Sequence, residues 1–237
     1  MKKTGAWLAR HALEQLGVRY TFGIPGVQNT ELYDELNSSE TITPMLVGHE
    51  GGGAFMADGL SRLGDSVGTL VVVPAAGLTH AASGIGEAYL DGVPMLVICG
   101  GVRTDIPYRY QLHQMDLHAF MKGITKATWH IERHVDIVPT IFEAYRVATG
   151  GEPGPVFIEL PVNLQLCPEG VVELPRFEPA PRPAPADAAS IEAAVALLKN
   201  ARRPGLFVGW GARDALAAVT AIAEHLQAPV ATTLQGF

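Results

Sequence analysis

The stretch GHEGGGAFMADG, residues 48–59, sets one carboxylate, Glu50, between a histidine and three consecutive glycines, and an apolar helical pattern (Ala54, Phe55, Ala57, Leu60) follows at once. A glycine in a helix interior costs about 1 kcal/mol relative to alanine. Gly51, Gly52 and Gly53 in one first turn therefore predict close approach of another backbone or room for a ligand. Glu50 has two available roles. It can complement a helix N-terminus, worth about 0.3–1 kcal/mol, or it can act on a bound molecule. Gln28, in GIPGVQ (23–28), offers hydrogen bonds but no proton shuttle. QLHQMDLHAF (111–120) carries His113, Gln114 and His118. His113 and His118 have no acidic or cysteine partner at ligand spacing, so no metal site is expected. Asp58 and Glu87 are read as exposed or helix-paired. GWGARDA (209–215) lacks the G-x-G-x-x-G spacing and is read as a plain turn.

These groups need a scaffold, and the pattern supplies one. Helical periodicity over 4–16, 29–37, 50 onward, 78–90 and 135–149 alternates with short apolar runs at 20–26, 43–48, 68–77, 94–101 and 154–161. Runs such as GTLVVVPAAG suit strands buried on both faces. The expected fold is α/β, a doubly wound parallel sheet with right-handed crossovers. Glu50 then follows a strand at its carboxyl end, the edge where open α/β sheets bind ligands. From residue 162 the composition changes, with six prolines between 168 and 185. The expected organisation is a domain over 1–165, an extended Pro-rich linker over 166–187 and the opening of a second α/β domain over 188–237. Two strands and two helices cannot cover both faces of a parallel sheet, so this second part is expected to be cut short or completed in trans.

The chain has 237 residues, 48% of them hydrophobic and 17% charged, with a net charge of -7. This suits a well-buried globular protein and argues against nucleic acid, which requires a basic face. Cys99 and Cys167 both lie in or beside apolar runs and are expected as buried, reduced thiols. No signal peptide and no membrane span are read, so the expected location is cytoplasmic.

GIPG (23–26), HEGGGAFMADG (49–59), AAGLTH (75–80), AYLDGVPML (88–96), ITK (124–126) and GEPGPVFIELP (151–161), in this order, resemble the pyrimidine-binding domain of thiamine-diphosphate enzymes. The nearest branch is acetolactate-synthase-like, a group that also holds benzaldehyde lyase, glyoxylate carboligase and several 2-oxo acid decarboxylases. The resemblance implies that Glu50 bonds N1′ of the cofactor's aminopyrimidine and favours its imino tautomer, whose nitrogen takes the thiazolium C2 proton. It implies cofactor contacts at Pro25, Gly26, Glu50, Pro74, Gly77 and His80, and a substrate-facing set of Val27, Gln28, His113 and Gln114. Two departures stand out. The family's usual Gly-Pro-Gly and following Asn are here Ala75-Ala76-Gly77 and His80, and His113 stands where relatives carry Gln. The resemblance further implies a small 2-oxo acid substrate and a homodimer, or a tetramer, sharing the cofactor, with the three glycines near its two-fold axis. Mg²⁺ and the diphosphate would be held by a C-terminal Gly-Asp-Gly…Asn motif that does not occur in these residues. FAD is left open by the resemblance and supported by no residue. The expected function is the N-terminal part of a decarboxylase or carboligase. The alternatives are an inactive, truncated or partner-dependent binding subunit of the same fold, and a plain nucleotide-binding α/β protein.

Overall fold

The computed structural model describes residues 2–234 apart from 65, 109, 172, 180, 182 and 183. The chain forms two compact units, residues 1–180 and 181–237. The first unit opens with β1 (Lys2–Thr4), α1 (Gly5–Gln15), β2 (Tyr20–Gly23), α2 (Thr30–Asn37), β3 (Thr43–Leu46) and α3 (Glu50–Leu63). It continues with β4 (Gly68–Val72), α4 (Ala76–Leu90), β5 (Met95–Gly101), α5 (Leu117–Met121) and β6 (Thr128–His130). It closes with α6 (His134–Thr149), β7 (Pro155–Pro161), α7 (Val162–Leu166) and β8 (Pro168–Gly170).

Six strands form one parallel sheet in the order β3-β2-β4-β5-β7-β6. β4, β5 and β7 are buried along their whole length, as continuous Val/Ile/Leu runs require when helices cover both faces. One face packs Leu8, Leu13, Leu32, Leu36, Ile141 and Phe142 of α1, α2 and α6 against Val71, Ile98 and Ile158. The other packs Ala54, Ala57, Leu78, Ile85 and Ala88 of α3 and α4 against Leu70, Val97 and Phe157. Strand order reverses between β2 and β4: the chain steps outward from β2 to β3, then returns to the other side. That reversal opens a crevice at the carboxyl ends of β2 and β4.

Local signals explain the helix starts. Thr4 caps α1, its hydroxyl accepting from the Trp7 N–H at 3.1 Å. Asp116 caps α5, accepting from Ala119 N at 2.9 Å. Arg62 holds the crossing of α3 with the end of α4 by pairing with Asp58 at 2.7 Å and Asp91 at 2.7 Å. Asp58 is thus helix-paired as expected but buried, and Glu87 is exposed.

Residues 166–170, expected within an extended linker, instead form the end of α7 and β8. β8 pairs antiparallel with β1, Lys2 opposite Gly170. Both strands are three residues long, too short to leave a periodic signal. Cys167, expected to be buried, is exposed, because α7 ends there at the surface; Cys99 is buried on β5. Burial pushes the Cys99 thiol well above its ordinary pKa.

The second unit contains α8 (Ala188–Asn200), β9 (Leu206–Val208), a 3₁₀ turn (Trp210–Ala215), α9 (Leu216–Leu226) and β10 (Val230–Thr232). β9 and β10 pair in parallel. Neither α8 nor α9 buries a residue, and Val195, Leu198, Ala221, Ile222 and Leu226 line an open apolar cleft of about 510 Å³ within this unit. Residues 209–215, expected as a plain turn, hold this 3₁₀ segment. Among the described residues no helix is long and apolar enough to cross a membrane.

The close contact of α4 with α3 depends on Gly84. A Cβ there would stand 2.6 Å from Ala54 Cβ and 2.9 Å from the Phe55 nitrogen of α3. Gly84→Ala is expected to push the two helices apart and lower stability by about 1–3 kcal/mol, read as a lower midpoint in urea unfolding.

Candidate functional site

Three turns meet over the crevice. The first follows β2 and is pinned by Asn29, which is buried. Its Oδ1 accepts from Gly26 N at 2.7 Å and its amide donates to Ile24 O at 3.4 Å, while the Thr30 hydroxyl donates to Gly26 O at 2.7 Å. Sequence reasoning did not single out Asn29. Its signal is the position, three residues after Gly26, where an Asx side chain can close a turn. Pro25 is exposed at the tip. Gly26 lies against Val73, where a Cβ would come within 2.7 Å of Cγ1.

The second turn joins β3 to α3. His49 is extended (φ -161°), and its ring Nδ1 accepts from the Gly51 N–H at 3.1 Å, so an imidazole caps this helix. Glu50 is the first helical residue and only 8% exposed. Its Oε2 lies 3.2 Å from His80 Nδ1. A carboxylate can only accept, so Nδ1 carries the proton. His80 stacks on His49 at 4.9 Å between centroids. Tyr33, on α2, donates its hydroxyl to Val71 O at 2.9 Å. Burial first, and then the nearby Glu50 charge, push that phenol far above its ordinary value.

The third turn joins β4 to α4. Pro74 is buried in it. Gly77 lies beside Glu50: a Cβ there would stand 3.2 Å from Oε1 and 2.8 Å from Val73 Cγ2. Val73 is therefore the common close neighbour of Gly26 and Gly77, and a Cβ at either position would crowd it. The glycines of the opening motif divide. Gly51 faces the His80 carbonyl and Gly53 faces Val47 and Leu70, all within the chain, whereas Gly52 has open space. At helical spacing the three cannot share one side, and of them only Gly52 points to open space.

Of the substrate-facing set, Gln28 and His113 come together. Gln28 is buried; its amide donates to Leu112 O at 3.1 Å and its Oε1 lies 3.4 Å from His113 Nδ1. Its own carbonyl accepts from the fully buried Gln165 at 2.8 Å. Val27 and Gln28 line a cleft of about 310 Å³ with Arg103, Gln111 and Leu112. Gln114 does not join them. It is exposed, and its Oε1 accepts from Gln111 N at 3.0 Å.

A second grouping lies on β6 and β7. Glu159 Oε2 sits 3.0 Å from His118 Nε2 and 3.1 Å from His130 Nδ1. The Glu159 hydrogen bond holds His130 above its ordinary pKa against the opposing effect of burial. The expectation that His118 lacks an acidic partner is corrected: the partner stands 41 residues away and is delivered by the sheet, which no local spacing reveals.

Residues 3–120 match the family described as "Thiamine pyrophosphate enzyme, N-terminal TPP binding domain", and residues 191–237 match "Thiamine pyrophosphate enzyme, central domain". Similar relatives include the acetolactate synthase isozyme 1 large subunit of Escherichia coli (strain K12), 33% identical over 233 residues, covering 98% of this chain and 41% of the relative. The acetolactate synthase large subunit of Corynebacterium glutamicum is 33% identical over 240 residues, covering 98% and 38%. The chloroplastic acetolactate synthase of Arabidopsis thaliana is 31% identical over 242 residues, covering 99% and 36%. The chain spans about two fifths of the length of the curated relatives it matches.

Ala75, at the head of α4, has φ 52° and ψ -97°. A left-handed φ disfavours any residue with a Cβ, by about 1–2 kcal/mol. Ala75→Gly is therefore expected to stabilise the protein by about 1 kcal/mol after the extra freedom of glycine in the unfolded chain is counted. A chemical-denaturation midpoint that falls instead of rising contradicts this.

Proposed function

We propose that this chain, which belongs to the thiamine pyrophosphate enzymes through an N-terminal cofactor-binding domain and the start of a central domain, is the aminopyrimidine-binding part of a 2-oxo acid decarboxylase or carboligase of the acetolactate-synthase type. The observation that carries this reading is the setting of Glu50. It is a buried carboxylate at the carboxyl edge of a parallel sheet, next to the strand-order reversal, with Oε2 beside His80 and Oε1 lying close to Gly77, where a Cβ would stand 3.2 Å away. A buried acid beside a Cβ-free position fits a ring nitrogen that must be held by a hydrogen bond.

Bound thiamine diphosphate supplies a nucleophilic carbon and an electron sink for 2-oxo acid chemistry. The chain's own residues have narrower tasks. Glu50 would share a proton with N1′ of the ring, a contact strengthened by partial exclusion of water. His80 donates to the other oxygen, Oε2, and fixes the plane of the carboxylate. Gly26, Pro74 and Gly77 would form the wall against which the ring lies. Gln28 and His113, joined by their own contact, would face the substrate carbonyl. In this reading the diphosphate and Mg²⁺ are held by protein outside these 237 residues. The relatives named as acetolactate synthases support a 2-oxo acid as substrate.

A homodimer is part of the proposal. On α3, Gly52, Phe55, Met56, Gly59 and Leu63 recur at helical spacing; Phe55 is 48% and Leu63 92% exposed, and nothing lies near the two glycines. Small and apolar residues on one outward stripe suit close helix pairing.

A second reading has two observations in its favour. His80 already occupies one oxygen of Glu50, and Ala75 holds a strained turn, which also suits a subunit that keeps the fold and does no chemistry. Measurement of cofactor C2 proton exchange in the protein assembled with its diphosphate-binding region separates the two. Glu50→Gln should slow exchange on the order of 10²- to 10⁴-fold; an unchanged rate removes Glu50 from the mechanism and favours the binding subunit. Independently, Phe55→Glu should weaken self-association by about 2 kcal/mol or more, seen as a shift toward monomer in sedimentation.

A further inference from the structure

We propose that His118, His130 and Glu159 form a binding site for one divalent transition cation of the zinc class, separate from the Glu50 crevice, with a fourth position open to water. The three ligand atoms all lie within 4.8 Å of one another. In a tetrahedral site with metal–ligand bonds of about 2.0–2.2 Å, ligand atoms stand roughly 3.4 Å apart. The observed 3.0 Å and 3.1 Å from Glu159 Oε2 to the two imidazole nitrogens need to open by only a few tenths of an ångström.

The ligands are held in place before any ion arrives. His130 and Glu159 are direct partners in the β6–β7 ladder, and the Ile131 N–H donates to Glu159 O at 3.0 Å just beyond them. α5, which carries His118, is capped by Asp116 and anchored by buried Leu117 and Met121. The His118 ring stands edge-on to Phe157 at 5.3 Å, which limits its rotation. The carboxylate fits because residue 101 is glycine: a Cβ there would stand 2.8 Å from Glu159 Oε1. Glu159 is 8% exposed, so its charge calls for a partner.

Access and ligand chemistry agree with this. His118 forms part of the wall of an open cleft of about 590 Å³ with Asp116, Lys122 and Thr128, through which an aquo-ion can reach the site. A bound cation replaces the protons on the two nitrogens that face Glu159; with the remaining proton on the far nitrogen (Nδ1 of His118, Nε2 of His130), each ring offers a lone pair to the ion. Two imidazoles and one carboxylate suit zinc and its neighbours, whereas magnesium and calcium prefer all-oxygen sets. A bound cation would tie α5 to β6 and β7 and so fix one flank of the 102–116 segment.

The test is calorimetric titration of Zn²⁺ alone into the metal-stripped chain. It is run in a His80→Asn background, because His49, Glu50 and His80 also lie within ligand reach of one another. One zinc per chain is expected, not displaced by excess Mg²⁺, and Co²⁺ in its place should give the visible absorption of a tetrahedral centre. Glu159→Gln and His118→Ala should each weaken zinc binding at least about tenfold. His118 is a partly exposed residue of a short helix, so His118→Ala remains informative if Glu159→Gln fails to fold. Absence of stoichiometric zinc binding, or an affinity unchanged in folded His118→Ala, overturns the proposal.

Discussion

A carboxylate taken almost entirely out of water must be compensated where it stands, and around Glu50 that requirement organises the N-terminal unit. The charge sits at the head of α3, where free N–H groups and the helix dipole favour an anion. The imidazole of His80 closes the other side at 3.2 Å. The second compensation requires α3 and α4 to start side by side, and Gly84 lets the two helices cross with no side chain between them. The same close crossing brings Gly77 against Glu50 and leaves Ala75 to make the tight entry into α4 with a left-handed φ. The strain at Ala75 and the burial of Glu50 are therefore two consequences of one packing arrangement.

The sheet extends the constraint outward. With strand order reversed between β2 and β4, the turns after those strands diverge to opposite faces, and Val73 lies close to both Gly26 and Gly77. Further along the same edge, the backbone of Gln28 passes so close to Gly100 that no side chain fits there, and Gln165 reaches across to bond the Gln28 carbonyl. α7, which carries Gln165, is held down in part by the β1–β8 pair. The two short strands at the periphery thus help keep Gln28 in position.

Much of this was legible in the sequence, for identifiable reasons. Buried parallel strands are continuous apolar runs of five to seven residues here, and helices with a buried face repeat at helical spacing, so the α/β class and the position of Glu50 after β3 could be read directly. What escaped has a common cause. β1, β6 and β8 are three residues each and α5 and α7 five, below the length at which periodicity exists. The partners of Asn29, Gln165 and Glu159 are set by topology or turn geometry, not by spacing in the chain. Cys167 was misjudged because an apolar neighbourhood in sequence does not fix which way a helix C-terminus faces.

Glu50 and Glu159 make an instructive pair. Both are carboxylates at 8% exposure near the carboxyl ends of parallel strands, and both are held by histidine. They differ in how the two oxygens are used. At Glu50 a single imidazole lies on Oε2, while Oε1 lies close beside Gly77; in the proposed reading that second oxygen is the one that meets the ring nitrogen. At Glu159 two imidazoles converge on Oε2, while Oε1 is pressed toward Gly101. Convergence of three ligand groups on one point suits the compact ion proposed above. In each case one glycine lets the backbone come close to Oε1, so the two sites differ in how many imidazoles meet Oε2, one at Glu50 and two at Glu159.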